Sequence, residues 1–322
     1  MKYHPEEVLF SPTTDCNLRC GHCAVSRSKR TLPVQPAVKF LRRCKNIGIK
    51  KVGFTGGEPF LAADFLCALV KASIKGKMLF DRITTNGVWY KDRPALERAL
   101  DRLYKCGYDG SFSVSVDAFH RQDLKKVAAF IRSVTAIWAR ADAVSIIYAG
   151  CSREGETRAK LKKLSRLLKA SLSGLSGPYP YIKNKDIFIK IHRIEITPVG
   201  RASKLIDPWD GRWFKEDHCK GPGNIFYILP DGSVKPCCGY ATDSKELTIG
   251  NILCDTPQRI LANARKNRFV STIFGAGGLS YIRKRAQSMG VKFPGKTSNN
   301  CYFCHYITTE LSKPLLSSLL VK

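Results

Sequence analysis

The segment TDCNLRCGHC, residues 14–23, contains three cysteines that are separated by three and then two residues. A single loop can bring the thiolates of Cys16, Cys20 and Cys23 together around one metal group. Zinc ions and four-iron clusters normally take four protein ligands, and only three are local here. A cluster held by three cysteines keeps one iron open for a further ligand, as a catalytic cluster requires. These residues are also compatible with a zinc site in which a residue such as His22 is the fourth ligand.

Short apolar strands alternate with amphipathic helices on the carboxyl side of this loop. The strand candidates are 8–10, 51–55, 82–85, 111–116, 143–148 and 187–196, and the helix candidates are 36–47, 61–74, 94–105, 123–139, 157–172 and 257–267. Six strands separated by helices predict parallel pairing with crossover helices. The sequence therefore predicts an α/β fold that begins with a partial (β/α)6 barrel. Residues 173–185 are rich in Gly, Ser, Pro and Tyr, which predicts a loop.

The pattern of the chain changes after residue 205. Two apolar segments within 226–236 flank Pro-Asp-Gly-Ser, which predicts a β-hairpin with an Asp-Gly turn. We therefore predict two domains. Residues 1–205 form the barrel, and residues 206–322 form a small α+β domain that contains the hairpin and binds a cluster.

A second motif, Thr-Gly-Gly-Glu-Pro at 55–59, closes the second strand candidate. Barrels of this class place their sites at the carboxyl ends of the strands. Gly56 and Gly57 allow backbone groups to approach a ligand closely, and Glu58 can accept a hydrogen bond from an ammonium group. Taken alone, the motif is also compatible with a tight turn.

The composition limits the class of protein. The chain has 322 residues, 44% of them hydrophobic, which excludes a disordered chain. It has no apolar run long enough for a transmembrane helix, and its start lacks the apolar core of a signal peptide, so we expect a cytoplasmic protein. Thirteen cysteines in a reducing compartment predict metal binding or catalysis and not disulfides. Isolated cysteines among apolar or helical neighbours are interpreted as packing residues: Cys44, Cys67, Cys106 and Cys151.

The formal net charge of +28 at pH 7 is large for a chain of this length. Basic residues cluster at 27–30, 42–45, 160–169 and 283–285. Such a surface attracts anions, which include nucleic acids, acidic peptides, phosphorylated metabolites and acidic proteins. Because the basic residues are spread along the chain, a charged, well-solvated surface explains them equally well.

The two motifs together, CxxxCxxC and GGEP, resemble the signature of the radical S-adenosylmethionine (SAM) superfamily. The resemblance implies that the open iron of a [4Fe–4S] cluster binds the methionine end of SAM. Reductive cleavage of SAM then yields a 5′-deoxyadenosyl radical, which abstracts hydrogen from a substrate. In this family the cofactor carries the chemistry and the protein positions it.

The resemblance, which spans about residues 8–202, also implies a set of SAM contacts. His22 stands where the family usually has an aromatic residue, and an imidazole can still lie against an adenine ring. Gly56, Gly57, Glu58 and Pro59 would hold the methionine amino group. Weaker matches at later strand ends extend the set to Asn86, Ser115, Asp117 and Arg201. A Ser or Asp at a strand end is also a common helix cap.

The last third of the chain resembles the auxiliary-cluster extension known as SPASM or, in its shorter form, twitch. The resemblance rests on CX12GX4C from Cys219 to Cys237 and on the pair Cys301 and Cys304. It implies one auxiliary [4Fe–4S] cluster held by these four cysteines. No cysteine is found among the 18 residues after Cys304, which favours the twitch form.

Other interpretations of these cysteines remain open. Zinc fits four cysteines equally well, and Cys238 or Cys254 could replace one of the four ligands. Cys301 to His305 also fits CxxCH, the motif of covalent haem attachment, but a cytoplasmic chain is not expected to meet the attachment machinery.

Two functions are compatible with the resemblance. Many members with this extension modify ribosomally made peptides, and a basic surface would suit an acidic precursor peptide or another anionic substrate. Because the first cysteine is already residue 16, we expect a leader peptide to need a separate recognition protein or direct docking. The alternative is a twitch-type dehydrogenase of a small molecule, such as a sugar or aminocyclitol alcohol. A nucleic-acid or scaffold protein with structural clusters would leave GGEP unexplained.

The expected partners follow from this interpretation. The electron donor is expected to be a flavodoxin or a ferredoxin-type protein. Association with a membrane or with nucleic acid is not expected. No catalytic acid or base is assigned from the sequence.

Overall fold

The computed structural model describes residues 3–25, 28–150, 153–175, 177–215, 224–239, 244–275 and 277–320. Its strands are β1 (Glu7–Phe10), β2 (Lys51–Phe54), β3 (Leu79–Thr85), β4 (Ser111–Ser115), β5 (Val144–Gly150), β6 (Ser171–Ser173), β7 (Tyr181–Lys183), β8 (Phe188–Glu195), β9 (Ile225–Ile228), β10 (Ser233–Lys235) and β11 (Gly250–Asn251). Its helices are α1 (Val34–Cys44), α2 (Ala63–Lys75), α3 (Arg93–Lys105), α4 (Leu124–Trp138), α5 (Glu154–Leu167), α6 (Pro257–Lys266), α7 (Arg268–Phe274), α8 (Gly278–Ser288), α9 (Asn300–Thr309) and α10 (Lys313–Leu319).

All these strands join one sheet, in the order β11-β10-β9-β1-β2-β3-β4-β5-β8-β7-β6. The six strands from β1 to β8 in this order are parallel, as expected for strands connected by helices. In the described part of the chain the edge strands β6 and β11 do not pair with each other, so the sheet is open. The predicted α/β fold with a partial barrel is confirmed.

The alternation of residues along β4 shows why one face of the sheet carries the core and the other the site. Successive side chains point to opposite faces of a strand. Phe112 packs against α4, with ring centroids 4.9 Å from Trp138 and 5.8 Å from Phe130. Ser113 lies on the other face, where its hydroxyl is 3.3 Å from that of Ser145 on β5. The face away from the helices is therefore polar and small enough to leave room for ligands.

The segment 171–183 differs from its prediction, which was a loop over 173–185. It forms the hairpin β6–β7, and β7 adds to the edge of β8, with Ile182 opposite Ile189. Both isoleucines are fully buried, so apolar burial and edge pairing outweigh the turn-forming composition. The helix predicted over 157–172 accordingly ends earlier, at Leu167.

The predicted hairpin near residue 230 is present as β9–β10. Gly232 has a φ of 83°, a left-handed conformation that favours glycine. The sequence did not predict where this hairpin lies. Its first strand, β9, pairs in parallel with β1, from Glu7 opposite Ile225 to Phe10 opposite Ile228. The hairpin thus continues the sheet of the barrel, and the domain boundary at residue 205 stays a prediction.

Among the described residues, no helix is both long enough and apolar enough to cross a membrane.

Candidate active site

A cavity of about 440 Å³ opens at the carboxyl ends of β1 to β4. This volume lies in the range of small-molecule sites, about 300–1,000 Å³. Eight of the sequence-predicted site residues line the cavity: Cys16, Cys20, His22, Cys23, Gly56, Gly57, Asn86 and Ser115. The hairpin wall adds Tyr227, Leu229, Pro230, Asp231, Cys238 and Gly239. The structure therefore brings the cysteine loop, the GGEP motif and the ends of β3 and β4 to one place.

The cysteine loop follows β1 and is closed at its base by backbone hydrogen bonds. The amide of Thr14 donates to the carbonyl of Arg30 at 3.0 Å, and the amide of Leu32 donates to that of Pro12 at 2.8 Å. Cys20 is buried, whereas Cys16 and Cys23 are partly exposed. Since all three border the same cavity, the loop presents three thiols to one ligand space.

Gly56 and Gly57 join this loop to the end of β2. The amide of Gly57 donates to the carbonyl of Thr13 at 2.8 Å. A Cβ atom on Gly57 would collide with the carbonyl group of Asp15, whose carbon would be 2.8 Å away. Gly56 has a φ of 124°, a conformation that side chains disfavour. The glycines thus allow close packing of two backbone segments. From the sequence alone, they were expected to allow the close approach of a ligand.

Glu58 is fully buried, behind the wall of the cavity. Its carboxylate accepts hydrogen bonds from the hydroxyl of Thr85 at 2.8 Å and from the amide of Asn86 at 2.9 Å. Burial raises the pKa of Glu58 to about 7, against the lowering effect of these hydrogen bonds. The side chain ties β2 to the end of β3, and Pro59 beside it is also buried. Neither residue lines the cavity in this structure.

Asp117 is also buried behind the cavity, at the end of β4. It accepts hydrogen bonds from the amides of Phe119, at 2.9 Å, and Ala149, at 3.2 Å, and from the Nδ1 atom of His120, at 2.8 Å. Burial raises its pKa, but the hydrogen bond and charge of His120 lower it more, to well below the ordinary range. With its oxygens engaged in this way, Asp117 shapes the loop after β4.

His22 packs against that same loop. Its ring centroid is 5.0 Å from that of Phe119 and 4.9 Å from that of His120. Burial lowers the pKa of His22 to about 4, so the ring is neutral at physiological pH. A neutral ring on the cavity wall can lie against the base of a nucleoside. His120, which the sequence analysis did not select, lines the cavity beside it.

Arg201 reaches the cysteine loop from the segment after β8. Its Nε atom donates to the carbonyl of Cys20 at 3.0 Å, and its guanidinium also donates to the carbonyl of Val25 at 3.3 Å. The preceding Gly200, with a φ of 56°, packs against Ala24. Arg201 therefore holds the backbone of the loop, and it does not border the cavity.

The second cysteine group is only partly within the described residues, because Cys219 lies outside them. Cys301 and Cys304 are one turn apart on α9, so their side chains share a face. A Cβ atom on Gly239 would be 3.5 Å from the Sγ atom of Cys301 and 3.6 Å from that of Cys237. Cys237 and α9 therefore approach one another, as ligands of a shared metal group must.

The remaining cysteines differ in their surroundings. Cys238 borders the first cavity, and Cys254 is exposed. Of the predicted packing residues, Cys44 and Cys67 are buried and Cys106 is partly buried. Cys151 lies outside the described residues.

The chemistry of the donors fits iron–sulfur clusters at both places. The three loop thiols, which form no disulfide, border the first cavity together with Cys238 of the hairpin wall, and thiolates are the ligands that these clusters take. At the second place, three of the four predicted ligands are described, and the fourth, Cys219, lies outside the described residues. Polar atoms at the ends of β3 and β4 give the first cavity partners for a nucleoside.

Two family models match the chain. The radical SAM superfamily model matches residues 10–145, and the SPASM model, an iron-sulfur cluster-binding domain, matches residues 219–289. The chain therefore contains a radical SAM domain followed by a SPASM domain. The first match contains Cys16, Cys20 and Cys23, and the second contains Cys219 and Cys237 but ends before Cys301.

Curated relatives of this radical SAM protein align with it at low identity. The GTP 3',8-cyclase of Lactiplantibacillus plantarum is 24% identical over 266 residues, which cover 76% of this chain and 70% of the relative. The GTP 3',8-cyclase of Chlorobaculum tepidum is 32% identical over 125 residues, which cover 37% of this chain and only 35% of the relative. The chain thus spans about a third of the length of the second relative. Both are enzymes of the family, and this radical SAM protein is an enzyme too.

Solved structures agree with the fold. Native anSMEcpe with bound AdoMet has a TM-score of 0.56 to this radical SAM enzyme and is 15% identical, with 98% of this chain and 99% of that chain covered. The same values hold for anSMEcpe with AdoMet and the Cp18Cys peptide. At this identity the likeness is one of fold.

The two families confirm the expected cofactors. The radical SAM domain takes SAM and a [4Fe–4S] cluster, and the SPASM domain takes auxiliary iron–sulfur centres.

Proposed function

We propose that this radical SAM enzyme modifies a ribosomally made peptide or protein. The observation that carries the proposal is the cavity beside the cysteine loop. It extends from Cys16, Cys20 and Cys23 to the hairpin wall at Pro230 and Asp231, so the space for ligands continues from the cysteine loop to the hairpin. The charge of +28 supports an anionic substrate such as an acidic peptide. That anSMEcpe, with the same fold, binds the Cp18Cys peptide makes a peptide the first substrate class to test.

In this proposal the three loop cysteines hold the SAM-binding cluster. When bound, the cluster and SAM supply a reductive cleavage that starts radical chemistry. The protein contributes position and exclusion of water. Asn86, Ser115 and His22 border the ligand space, whereas the side chains behind its wall hold it in shape: Glu58, Pro59, Asp117 and Arg201.

The second part of the proposal concerns residues 206–322. We assign Cys219, Cys237, Cys301 and Cys304 to one auxiliary [4Fe–4S] cluster. Four cysteines leave no open iron, so this cluster would pass electrons and would not bind substrate. We expect the electron donor of the enzyme to be a flavodoxin or a ferredoxin-type protein.

The substrate class can be tested by mass spectrometry. The reconstituted enzyme is incubated anaerobically with SAM, dithionite and each short acidic peptide encoded beside its gene. The proposal predicts a change in the mass of one peptide with the wild-type enzyme and none with the Cys16→Ala variant. Formation of 5′-deoxyadenosine without any change in these peptides would contradict a peptide substrate while leaving the radical chemistry in place.

A second candidate is a reaction on a small anionic molecule. The observation in its favour is the alignment of 76% of this chain with a GTP 3',8-cyclase, together with the same positive charge. Incubation with GTP under the same conditions tests it, because consumption of GTP that depends on SAM would favour this candidate. If the enzyme is instead a small-molecule dehydrogenase, we expect an alcohol metabolite to lose two hydrogens.

A further inference from the structure

We propose that Asn86 is a positioning residue that donates a hydrogen bond to the Cys16 thiolate and raises the reduction potential of the cluster. This inference rests on the proposed role of Cys16 as a cluster ligand. It assigns to Asn86 a task that differs from contact with SAM.

The direct observation is the surroundings of the Cys16 sulfur. Asn86 Nδ2 lies 3.7 Å from Cys16 Sγ, and the backbone amide of Leu18 donates to the same sulfur at 3.4 Å. Both distances are suitable for N–H donors to sulfur, which is larger than oxygen. Both contacts therefore place an N–H donor beside the Cys16 sulfur.

The orientation of the Asn86 amide is fixed by a closed cycle of hydrogen bonds. Asn17 Nδ2 donates to the carbonyl of Val88 at 3.1 Å, and Asn17 Oδ1 accepts from Asn86 Nδ2 at 2.8 Å. Asn86 Oδ1 in turn accepts from the amide of Val88 at 2.8 Å. This network assigns the oxygen and the nitrogen of both side-chain amides. If either amide were flipped, two donors or two acceptors would face each other. The second N–H of Asn86 is therefore the one directed at Cys16.

The backbone of Asn86 is held as firmly as its side chain. Its amide donates to Glu58 Oε2 at 2.9 Å, and its carbonyl accepts from Gln122 Nε2 at 2.8 Å. The residue is 6% exposed. A donor that is fixed in this way cannot rotate away when the charge on the sulfur changes.

The electrostatic consequence follows from the charge of the cluster. Reduction adds one electron, part of which is carried by the ligand sulfurs. An N–H donor stabilises the more negative state more strongly, and hydrogen bonds to the sulfurs are among the factors that set cluster potentials. Because Asn86 is buried, water screens this hydrogen bond little. Asn86 therefore makes the cluster easier to reduce.

The test compares the Asn86→Ala variant with the wild type and with Asn184→Ala. Asn184 also donates to backbone carbonyls, those of Leu168 and Lys169, but far along the chain from the cavity. Each protein is reconstituted and titrated against redox mediators, and the electron paramagnetic resonance signal that changes on addition of SAM is followed. We expect Asn86→Ala to lower the equilibrium constant for one-electron reduction about tenfold, a shift of about 59 mV to lower potential. Asn184→Ala should match the wild type.

A second variant covers the case in which Asn86→Ala does not retain its cluster. Asn17→Ala removes the acceptor that orients the Asn86 amide but leaves the donor, so it should shift the potential in the same direction by a smaller factor. An unchanged potential in a cluster-loaded Asn86→Ala variant, or in Asn17→Ala if the first variant is empty, overturns the inference. The proposed role of Cys16 as a cluster ligand fails differently, because then the wild type itself gives no signal that responds to SAM.

Discussion

Arg201 Nε donates a hydrogen bond to the carbonyl oxygen of Cys20 at 3.0 Å. The contact joins the segment after β8 to the loop after β1, two places 181 residues apart in the chain. The same guanidinium also holds the carbonyl of Val25. The far side of the barrel therefore supports the cysteine loop directly.

Replacement of Arg201 should loosen the cysteine loop. The variant Arg201→Ala leaves two carbonyl groups without their charged donor, at a cost of about 2 kcal/mol to the folded loop. We expect the SAM-binding cluster to be lost several-fold faster to an iron chelator, as followed by the visible absorbance of the cluster. The control is Arg212→Ala, because the Arg212 side chain is 81% exposed. Equal rates of loss in Arg201→Ala and in the control would show that the contact is not needed.

Gly57 should tolerate no side chain. In Gly57→Ala the added methyl group would collide with the backbone of Asp15, and overpacking of this kind costs about 1–3 kcal/mol. We expect a lower urea midpoint and a reduced iron content after reconstitution. Gly155→Ala is the matched control, since nothing lies within 4 Å of its added Cβ atom. A wild-type iron content in Gly57→Ala would contradict the close packing of the two motifs.

Glu58 should make the stability of the enzyme depend on pH. Its folded-state pKa of about 7 lies above the ordinary value of 4.5, so the folded protein retains a proton that the unfolded chain releases. The stability from this proton is fully present below about pH 4.5 and is lost as the pH rises through about 7. Over that window the loss is about 3 kcal/mol, from 1.36 kcal/mol per pKa unit.

The Glu58→Gln variant should lack this loss, because glutamine does not titrate. Urea unfolding of the reconstituted proteins from about pH 5 to about pH 8 measures the difference. Glu97→Gln serves as the control, since the Glu97 side chain is 47% exposed. Parallel stability profiles for the wild type and Glu58→Gln would show that burial does not raise the pKa of Glu58.

The auxiliary cluster should depend on α9. Replacing Cys301 and Cys304 together by alanine removes two of its four proposed ligands, so the iron content should fall from about eight to about four per chain. Cys254→Ala, at an exposed position, should retain about eight. Zinc in place of the second four irons in the wild type would contradict the auxiliary cluster.

Local patterns in the sequence predicted much of the barrel and the cavity. The alternation of strands and helices fixed the parallel order, because crossover helices dictate it. The spacing of Cys16, Cys20 and Cys23 and the glycines of GGEP placed two loops at the same end of the sheet. These features depend on residues that are close in the chain, and the structure brings them to one cavity.

Long-range contacts could not be predicted in this way. Nothing in the apolar run of β9 indicates that it pairs with β1, since any edge strand offers the same backbone groups. Likewise, the sequence could not show that Asp117 and Arg201 hold the loops of the cavity without lining it. The cycle of Asn17, Asn86 and Val88 joins two segments about seventy residues apart. In the sequence, the polar residues at the end of β3 were the only indication of this cycle.

The production of 5′-deoxyadenosine tests the central claim most directly. The reconstituted enzyme is incubated without oxygen with SAM and dithionite, beside a variant with Cys16, Cys20 and Cys23 replaced by alanine, and the product is measured by chromatography. We expect 5′-deoxyadenosine from the wild type and none above background from the triple variant. A wild-type enzyme that carries its full iron content and forms no 5′-deoxyadenosine, or a triple variant that forms as much as the wild type, would contradict it.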